Sequence, residues 1–536
     1  MPAIMVVIVS LMVVLTGSRS GAHEPGSLSG PPGERLGTVT FPISCQTALQ
    51  PPFERAMALL HSFWYLEALK AFTAVTQADP DCAMGYWGIA MSLWYQIWSP
   101  PSPAALQRGR DAMDTAKALG ARTPRERDYI AAADAFFTDT AHRDHRTRAL
   151  AYKQAMAQVA HRYPEDREAA VLYALALQAT ADPHDRTYAQ QQQSAALAEQ
   201  VFAAQSDHPG AAHYLIHAYD YPALAPRALA AARRYAQFAP SVPHALHMPS
   251  HTYVLLGMWP ETIESNLAAA AAEQSRGNPD DRMHALDYLV YAYLQQAQDA
   301  AAYRVVAEAR MLMAELAAQQ YDSGRPTALF AMAAIEARWT MERGRWAEAA
   351  ALAPQQSRFA HTDAMVYFAR ALGAARSGQL AQARADVEQL ARLRDALQEG
   401  YWAEQVEIQR QAAAAWVAQA EGRHEAALAL ARAAAETEEG TEKHNITPGP
   451  MVTARELLGD LLIALGQPGA AVRAYEASLE RAPNRFKALY GVARAAELAE
   501  DRAMAQTFYG KLVALTRPAD TERPELRTAH AFLGQP

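Results

Sequence analysis

Two cysteines, Cys45 and Cys82, are all that 536 residues contain. So sparse a set excludes the paired-cysteine zinc frameworks, which need thiolates at short fixed spacings. Clusters of lysine and arginine are missing too. The 49 basic side chains are scattered among 57 acidic ones, for a formal charge of -8, and no basic block is present to neutralise phosphates. Nucleic acid is therefore not an expected partner. There is no glycine-rich phosphate loop and no nucleophile elbow. The string HEAAL at His424 lacks the second histidine of a zincin, which leaves Glu425 as an ordinary surface-turn residue.

Long apolar runs are also absent, apart from residues 3–16, which fall short of the roughly 20 residues that a membrane span requires. That run has the length of a signal peptide, although no Lys or Arg precedes it, and Ser20-Gly21-Ala22 follows as a small-x-small cleavage site. The expectation is a signal peptide over 1–22, an exported chain, periplasmic or secreted, with no stable membrane span after cleavage, and a flexible leader over 23–48 that includes GSLSGPPG. In an oxidising compartment Cys45 and Cys82, 37 positions apart, are expected to pair. A loop of that size contributes roughly 3–4 kcal/mol in the chain-entropy picture.

What the chain does have is alanine, 51% hydrophobic residues and few alternating β-branched runs, which point to an all-α fold. It also repeats. Leu458-Gly459, Gly466, Ala471, Tyr475 and Pro483 form one unit, and Ala493, Ala505 and Tyr509 stand 34 positions after its key places. A small residue marks where two helices cross, a glycine the turn, and a proline the end of the second helix. Ala68, Phe72 and Pro80 close a unit near the other end, and Tyr86, Ile89 and Ala90 open the next. Gly344, Gly378 and Gly422 fall at turns between. From 100 to 164 no register is evident, although Thr123-Pro124-Arg125-Glu126 is a capping box with proline at the first helical position.

This pattern resembles the tetratricopeptide repeat over nearly all of the chain after residue 48. The strings LLHSFWY, DPDCAMGYWG, HYLIHAYD and HALHMPSH are similar to those of exported bacterial tetratricopeptide proteins. The resemblance implies a right-handed superhelix of about ten helical hairpins, each burying its apolar stripe against its neighbours. The expected divisions are an array over 49–320, a central array over 321–435, an irregular charged loop over 436–450 that folds back over the groove, a repeat pair over 451–520 and a tail over 521–536.

The sharpest chemical clue lies in the first array. His213 and His217 stand four apart, and His247 and His251 repeat the pair 34 positions later. Four residues is one helical turn, so each pair shares a face. In tetratricopeptide arrays the second, fifth and ninth places of the first helix line the concave groove. His213 and His217 occupy the fifth and ninth, as do His247 and His251, with His244 at second. In the following unit His284 is second, Asp287 fifth and Tyr291 ninth. Neighbouring helices about 8–10 Å apart allow such imidazoles to converge on one ion. Asp287 is a candidate ligand or orienting partner. Pro249 either starts its helix late or bends it. Trp87, Met91 and Trp94, with His61 in the preceding unit, fall on groove places and would form an apolar wall, unless they belong to the core. His444 is a remote candidate in the loop.

The leading expectation is a binding scaffold, for a peptide, protein or small molecule, with a copper, iron or zinc site in its groove. The first alternative is a metal-dependent enzyme, oxidoreductase or hydrolase, built on the same histidines. The second is a metal-free interaction scaffold in which the histidines form a hydrogen-bond network.

Overall fold

The computed structural model describes residues 28–534 except 99, 277, 355 and 398–399, so the expected signal peptide lies outside the described residues. Among the described residues every regular element is helical, and successive helices pair as hairpins. The chain runs from α1 (Gln50–His61) and α2 (Tyr65–Ala78) through α3 (Ala83–Ser92) with α4 (Pro103–Leu119), α5 (Pro124–Phe137) with α6 (His145–Arg162), and α7 (Arg167–Ala179) with α8 (Ala189–Ala204). Next come α9 (Pro209–Ala218) with α10 (Ala225–Phe238), and α11 (Pro243–His247) continued by α12 (Pro249–Leu255), both against α13 (Trp259–Arg276). The array goes on with α14 (Pro279–Gln295) and α15 (Asp299–Ala318), α16 (Thr327–Met341) and α17 (Trp346–Ala350), and α18 (Ala360–Arg376) and α19 (Leu380–Ala396). It ends with α20 (Tyr401–Ala420) and α21 (His424–Gly440), α22 (Ala454–Ala464) and α23 (Pro468–Arg481), α24 (Phe486–Leu498) and α25 (Arg502–Leu515), and a last helix α26 (Pro524–Leu533). This is a tetratricopeptide-repeat superhelix of twelve hairpins, two more than the expected ten. The stretch from 100 to 164, where no register is evident in the sequence, adds the α5–α6 hairpin, and units there are longer than 34 residues. Pro209 and Pro243 start successive units 34 apart, whereas Pro124, Arg167 and Pro209 are more than 40 apart.

Local signals act as expected at several starts. Thr123 caps α5 in a complete capping box with Glu126, and the Asp166 carboxylate accepts from the Glu168 and Ala169 amides at the head of α7. Glycine is required where helices cross. Tyr475 sits between Gly459 and Gly491, and a Cβ at 459 would lie 2.6 Å from its ring. Alanine at either position would push the hairpins apart.

The segment before α1 is not a flexible leader along its whole length. From Glu34 to Gln46 it is bound to the array: Thr38 donates from its amide to the Asp207 carbonyl (3.0 Å), and Gln205 donates to the Thr38 carbonyl (2.7 Å). Phe41 is fully buried among Phe53, Trp87 and Tyr129, with ring centroids 5.0–5.6 Å away. The apolar side chains of this stretch outweigh the entropy of ordering it. Phe41 covers Trp87, and the α5–α6 hairpin covers Trp94, so neither forms an apolar wall in the groove. Trp87, Met91 and Trp94 are core residues, and Trp94 stacks on Phe136 at 3.6 Å.

Cys45, at the end of this segment, is disulfide-bonded to Cys82, the N-cap of α3. Reduction should cost roughly 3–4 kcal/mol by the loop-entropy relation, seen as a lowered thermal midpoint. Two titratable thiols in the denatured, air-oxidised protein would contradict the bond.

The expected loop over 436–450 is helical through Gly440. The remainder is a strap that folds back over α12 and α14. Arg338 fixes it by donating to Thr447 Oγ1 (3.0 Å) and to the carbonyls of Gly449 (2.7 Å) and Pro450 (2.8 Å). No helix among the described residues is long and apolar enough to cross a membrane.

Candidate metal centre

Three consecutive hairpins contribute the histidines. Helix α9 carries His213 and His217, α11 carries His244 and His247, α12 carries His251, and α14 carries His284. Gly210 lets α9 approach α1, since a Cβ there would meet His61 at 2.6 Å. Pro249 does not delay its helix. It bends it: Met248 keeps helical dihedrals between α11 and α12, and Ser250 Oγ donates to the His247 carbonyl (2.7 Å). The division of the histidines falls within α11, ahead of the bend. His244 turns toward His213 and His217, while His247 and His251 gather with His284. Within each triad one ligand nitrogen per residue lies within 4.8 Å of the other two. The triads adjoin, with ring centroids 5.8 Å apart for His217 and His251 and 6.0 Å for His244 and His247.

Hydrogen bonds behind the rings assign the tautomers. His213 Nδ1–H donates to the His61 carbonyl at 2.7 Å. Asn266 uses its Nδ2 to donate to the Thr262 carbonyl, so its Oδ1 is the acceptor 2.7 Å from His247 Nδ1. His251 Nδ1–H donates to Asp220 at 2.9 Å, and the buried Lys443 ammonium shares that oxygen at 2.7 Å. His213, His247 and His251 therefore all carry the proton on Nδ1 and present a bare Nε2. The bare nitrogens of His247 and His251 lie 3.1 Å apart with no proton to join them. Two nitrogens bound at ~2.0–2.1 Å to one tetrahedral ion would stand about 3.3 Å apart. Among the described residues His213 Nε2, both nitrogens of His217 and of His284, and His244 Nε2 are buried without a hydrogen-bond partner. Each such atom costs about 1–3 kcal/mol unless something fills the space between them. The donor set fits a transition-metal ion.

Charge agrees with the geometry. Burial lowers the basicity of all six imidazoles, and the neighbouring rings lower it further in His213, His217, His244, His251 and His284. His247 is brought down to about 4, burial again leading. The rings are thus neutral at ordinary pH, the form that ligates metals.

The other candidates do other work. Asp287 is not placed as a ligand: it is fully buried and ion-paired with Arg338 at 3.0 Å, which holds the strap. Tyr291 accepts from Arg485 at 2.5 Å, away from the triads. His61 lies behind His213 and bonds Glu168 (2.7 Å) and Tyr214 (3.0 Å). His208 bonds the other oxygen of Glu168 at 2.8 Å. Burial opposes the Glu168 charge, but the two imidazoles hold its carboxyl well below the usual range. Every ligand atom of this third group is satisfied, so it braces α1, α7 and α9. His444 packs on Trp402 at 5.1 Å, outside both triads. Sequence reasoning missed Asp220, Asn266 and Lys443, and also Tyr288, whose Oη lies 3.4 Å from His251 Nε2. Of these, Asp220 closes the quoted string HYLIHAYD, where a carboxylate just after a histidine pair was the available signal.

Two cavities reach the cluster from opposite sides of Trp98, with strap residues Asn445 and Ile446 at their margins. One meets His217 beside His145 and Tyr221. The other meets His244, His247 and His284.

No protein-family model matches the chain, and no curated protein matches its sequence. Among solved structures, the human IFIT1 dimer with m7Gppp-AAAA is similar at 10% identity and a TM-score of 0.40, over 81% of this chain and 90% of that one. The APC/C hetero-tetramer Cut9-Hcn1 is similar at 11% identity and a TM-score of 0.30, over 90% of this chain and 95% of that one. Likeness of this degree speaks to neither ligand nor partner.

Proposed function

We propose that the protein is a metal-binding helical-repeat protein in which two adjacent three-histidine sites hold a pair of transition-metal ions, copper, iron or zinc. The observation that carries this reading is the pair of bare Nε2 atoms on His247 and His251, aimed at each other at 3.1 Å. His213, His217 and His244 supply the first ion, and His247, His251 and His284 the second. Asp220, Asn266 and the His61 carbonyl fix the rings. Neutral imidazoles suit all three metals, so ligand type does not choose among them. Action outside the cytoplasm is part of the proposal, supported by the apolar amino-terminal run and the Cys45–Cys82 disulfide.

The ligand count favours metal-dependent chemistry over a closed structural site. Three protein ligands leave a coordination position free, as in sites that bind water or substrate. Cobalt-loaded protein tests this. Azide should shift the visible cobalt bands without extracting the metal. A spectrum indifferent to azide would mark the sites as closed and structural.

A further inference from the structure

The cavity beside His284 sets an aromatic wall against a buried carboxyl. Phe63 and Tyr65 stack on one side, their centroids 5.3 Å apart, and Tyr65 stacks in turn on Tyr95 at 4.2 Å. Phe63 reaches this place from a left-handed backbone conformation (φ 54°), a strained choice for an aromatic residue. Trp98 completes the aromatic lining. Opposite stands Glu273 of α13, only 5% exposed, with no hydrogen-bonding or ion-pairing partner among the described residues. Asp281 of α14 faces the same space. Arg276 is drawn off to the Ser241 carbonyl and the Trp64 ring, while Arg325, which also lines the cavity, lies 3.4 Å from Asp280 and its charge acts on Asp281, whose Oδ2 accepts from Asn278. Burial and Asp281 push the Glu273 carboxyl up to about 8. A buried carboxyl without a hydrogen-bonding or ion-pairing partner is a place where a cation can be held.

We propose that this cavity binds a small organic ammonium compound, its cationic nitrogen at Glu273 and Asp281 and its apolar part against Phe63, Tyr65, Tyr95 and Trp98. Aromatic faces attract such a cation through their quadrupoles, and the carboxylates supply the opposite charge. A neutral aromatic would gain the rings alone, and a carboxylate ligand would be repelled. The two unpartnered nitrogens of His284 line the same space. On the reading that the triads hold metal, the ligand lies beside the metal pair; the cation site itself needs only the carboxyls and the rings.

Calorimetric titration of the full chain, as purified and after chelation, separates the two readings. The probes are 2-phenylethylamine, tetramethylammonium, neutral 2-phenylethanol and anionic 3-phenylpropionate. The expected result is that 2-phenylethylamine binds at least tenfold more tightly than 2-phenylethanol in both preparations, with no binding of the anion. Glu273→Gln should erase that preference and leave 2-phenylethanol binding unchanged. Equal binding of amine and alcohol, or no binding of either cation, overturns the proposal whatever the metal content. Should Glu273→Gln fail to fold, the preference in the native protein decides alone. Amine binding to a protein that takes up no metal would leave the cation site standing and remove the metal reading.

Discussion

Protein saturated with a transition metal is expected to hold two ions per chain, and His244→Ala is expected to hold one. His244 belongs to the triad with His213 and His217 only. Its loss leaves two imidazoles there, too few to retain an ion through dialysis, while His247, His251 and His284 are untouched. Combining His213→Ala with His247→Ala removes one ligand from each triad and should abolish retention, with helical content nearly unchanged. Asp220→Asn keeps all six ligands but weakens the anchor of His251, and should lower affinity for one ion by roughly 10–100-fold. Elemental analysis beside circular dichroism reads all three variants. Stoichiometric metal in the double variant would end the proposal.

Metal-free protein is expected to lose several kcal/mol of stability between pH 7 and pH 5. An unfolded histidine titrates near 6.5, whereas burial leads in bringing His247, His361 and His444 down to about 4 in the fold. Between those values the unfolded chain binds more protons, so stability falls as pH falls, by up to roughly 3 kcal/mol for each such group. Buried carboxyls oppose this. Glu438, raised to about 7 chiefly by burial, and Glu273, near 8, hold protons in the fold that the unfolded chain releases above pH 4.5. Their contribution is lost as pH rises. The lowered histidines outnumber the raised carboxyls ten to five, so acid destabilisation wins below 6.5. Urea midpoints at the two pH values measure it, and an unchanged midpoint would contradict the burial of neutral rings. Bound metal should hold the midpoint up until acid displaces it.

The histidine pairs were legible because a helix translates sequence spacing into direction. The 34-residue recurrence brought His213, His217, His247 and His251 to adjoining helices, and His244 and His284 followed from the same register. That two triads form was not legible, since spacing does not reveal that His244 and His247, both on α11, turn to different neighbouring helices. Asp287 occupies a groove place by register but faces Arg338, whose partners in the strap lie more than 100 positions further along the chain. Periodicity carries no information about such a contact. For Trp87 and Trp94 the choice between groove and core was not legible for a related reason: Phe41, from a segment with no repeat to announce it, covers the first, and Phe136 and Tyr152, from the stretch without evident register, pack on the second. Asn266 and Lys443 are single polar residues whose importance comes from the one group each meets, the His247 ring and the Asp220 carboxylate, and nothing local distinguishes them.

Repeat arrays ordinarily fray from their ends, because each unit touches only its neighbours. Here the ends are fastened to the middle. Trp259 donates to the Asn484 carbonyl at 2.8 Å, Arg523 is paired with Asp299, and Gly257 abuts Pro483 so closely that no side chain would fit. Lys443 reaches back to Asp220 beside the second triad. Unzipping from the carboxyl end therefore has to break long-range contacts before it releases a single hairpin, which turns a linear chain of local equilibria into one cooperative unit. The same fastening sets the order of assembly. Residues 213–284 supply every imidazole of the two triads, yet the Lys443 contact forms only after 159 more residues (443 − 284) have been made, so the nascent array passes through a state in which the histidines are present and their cover is not.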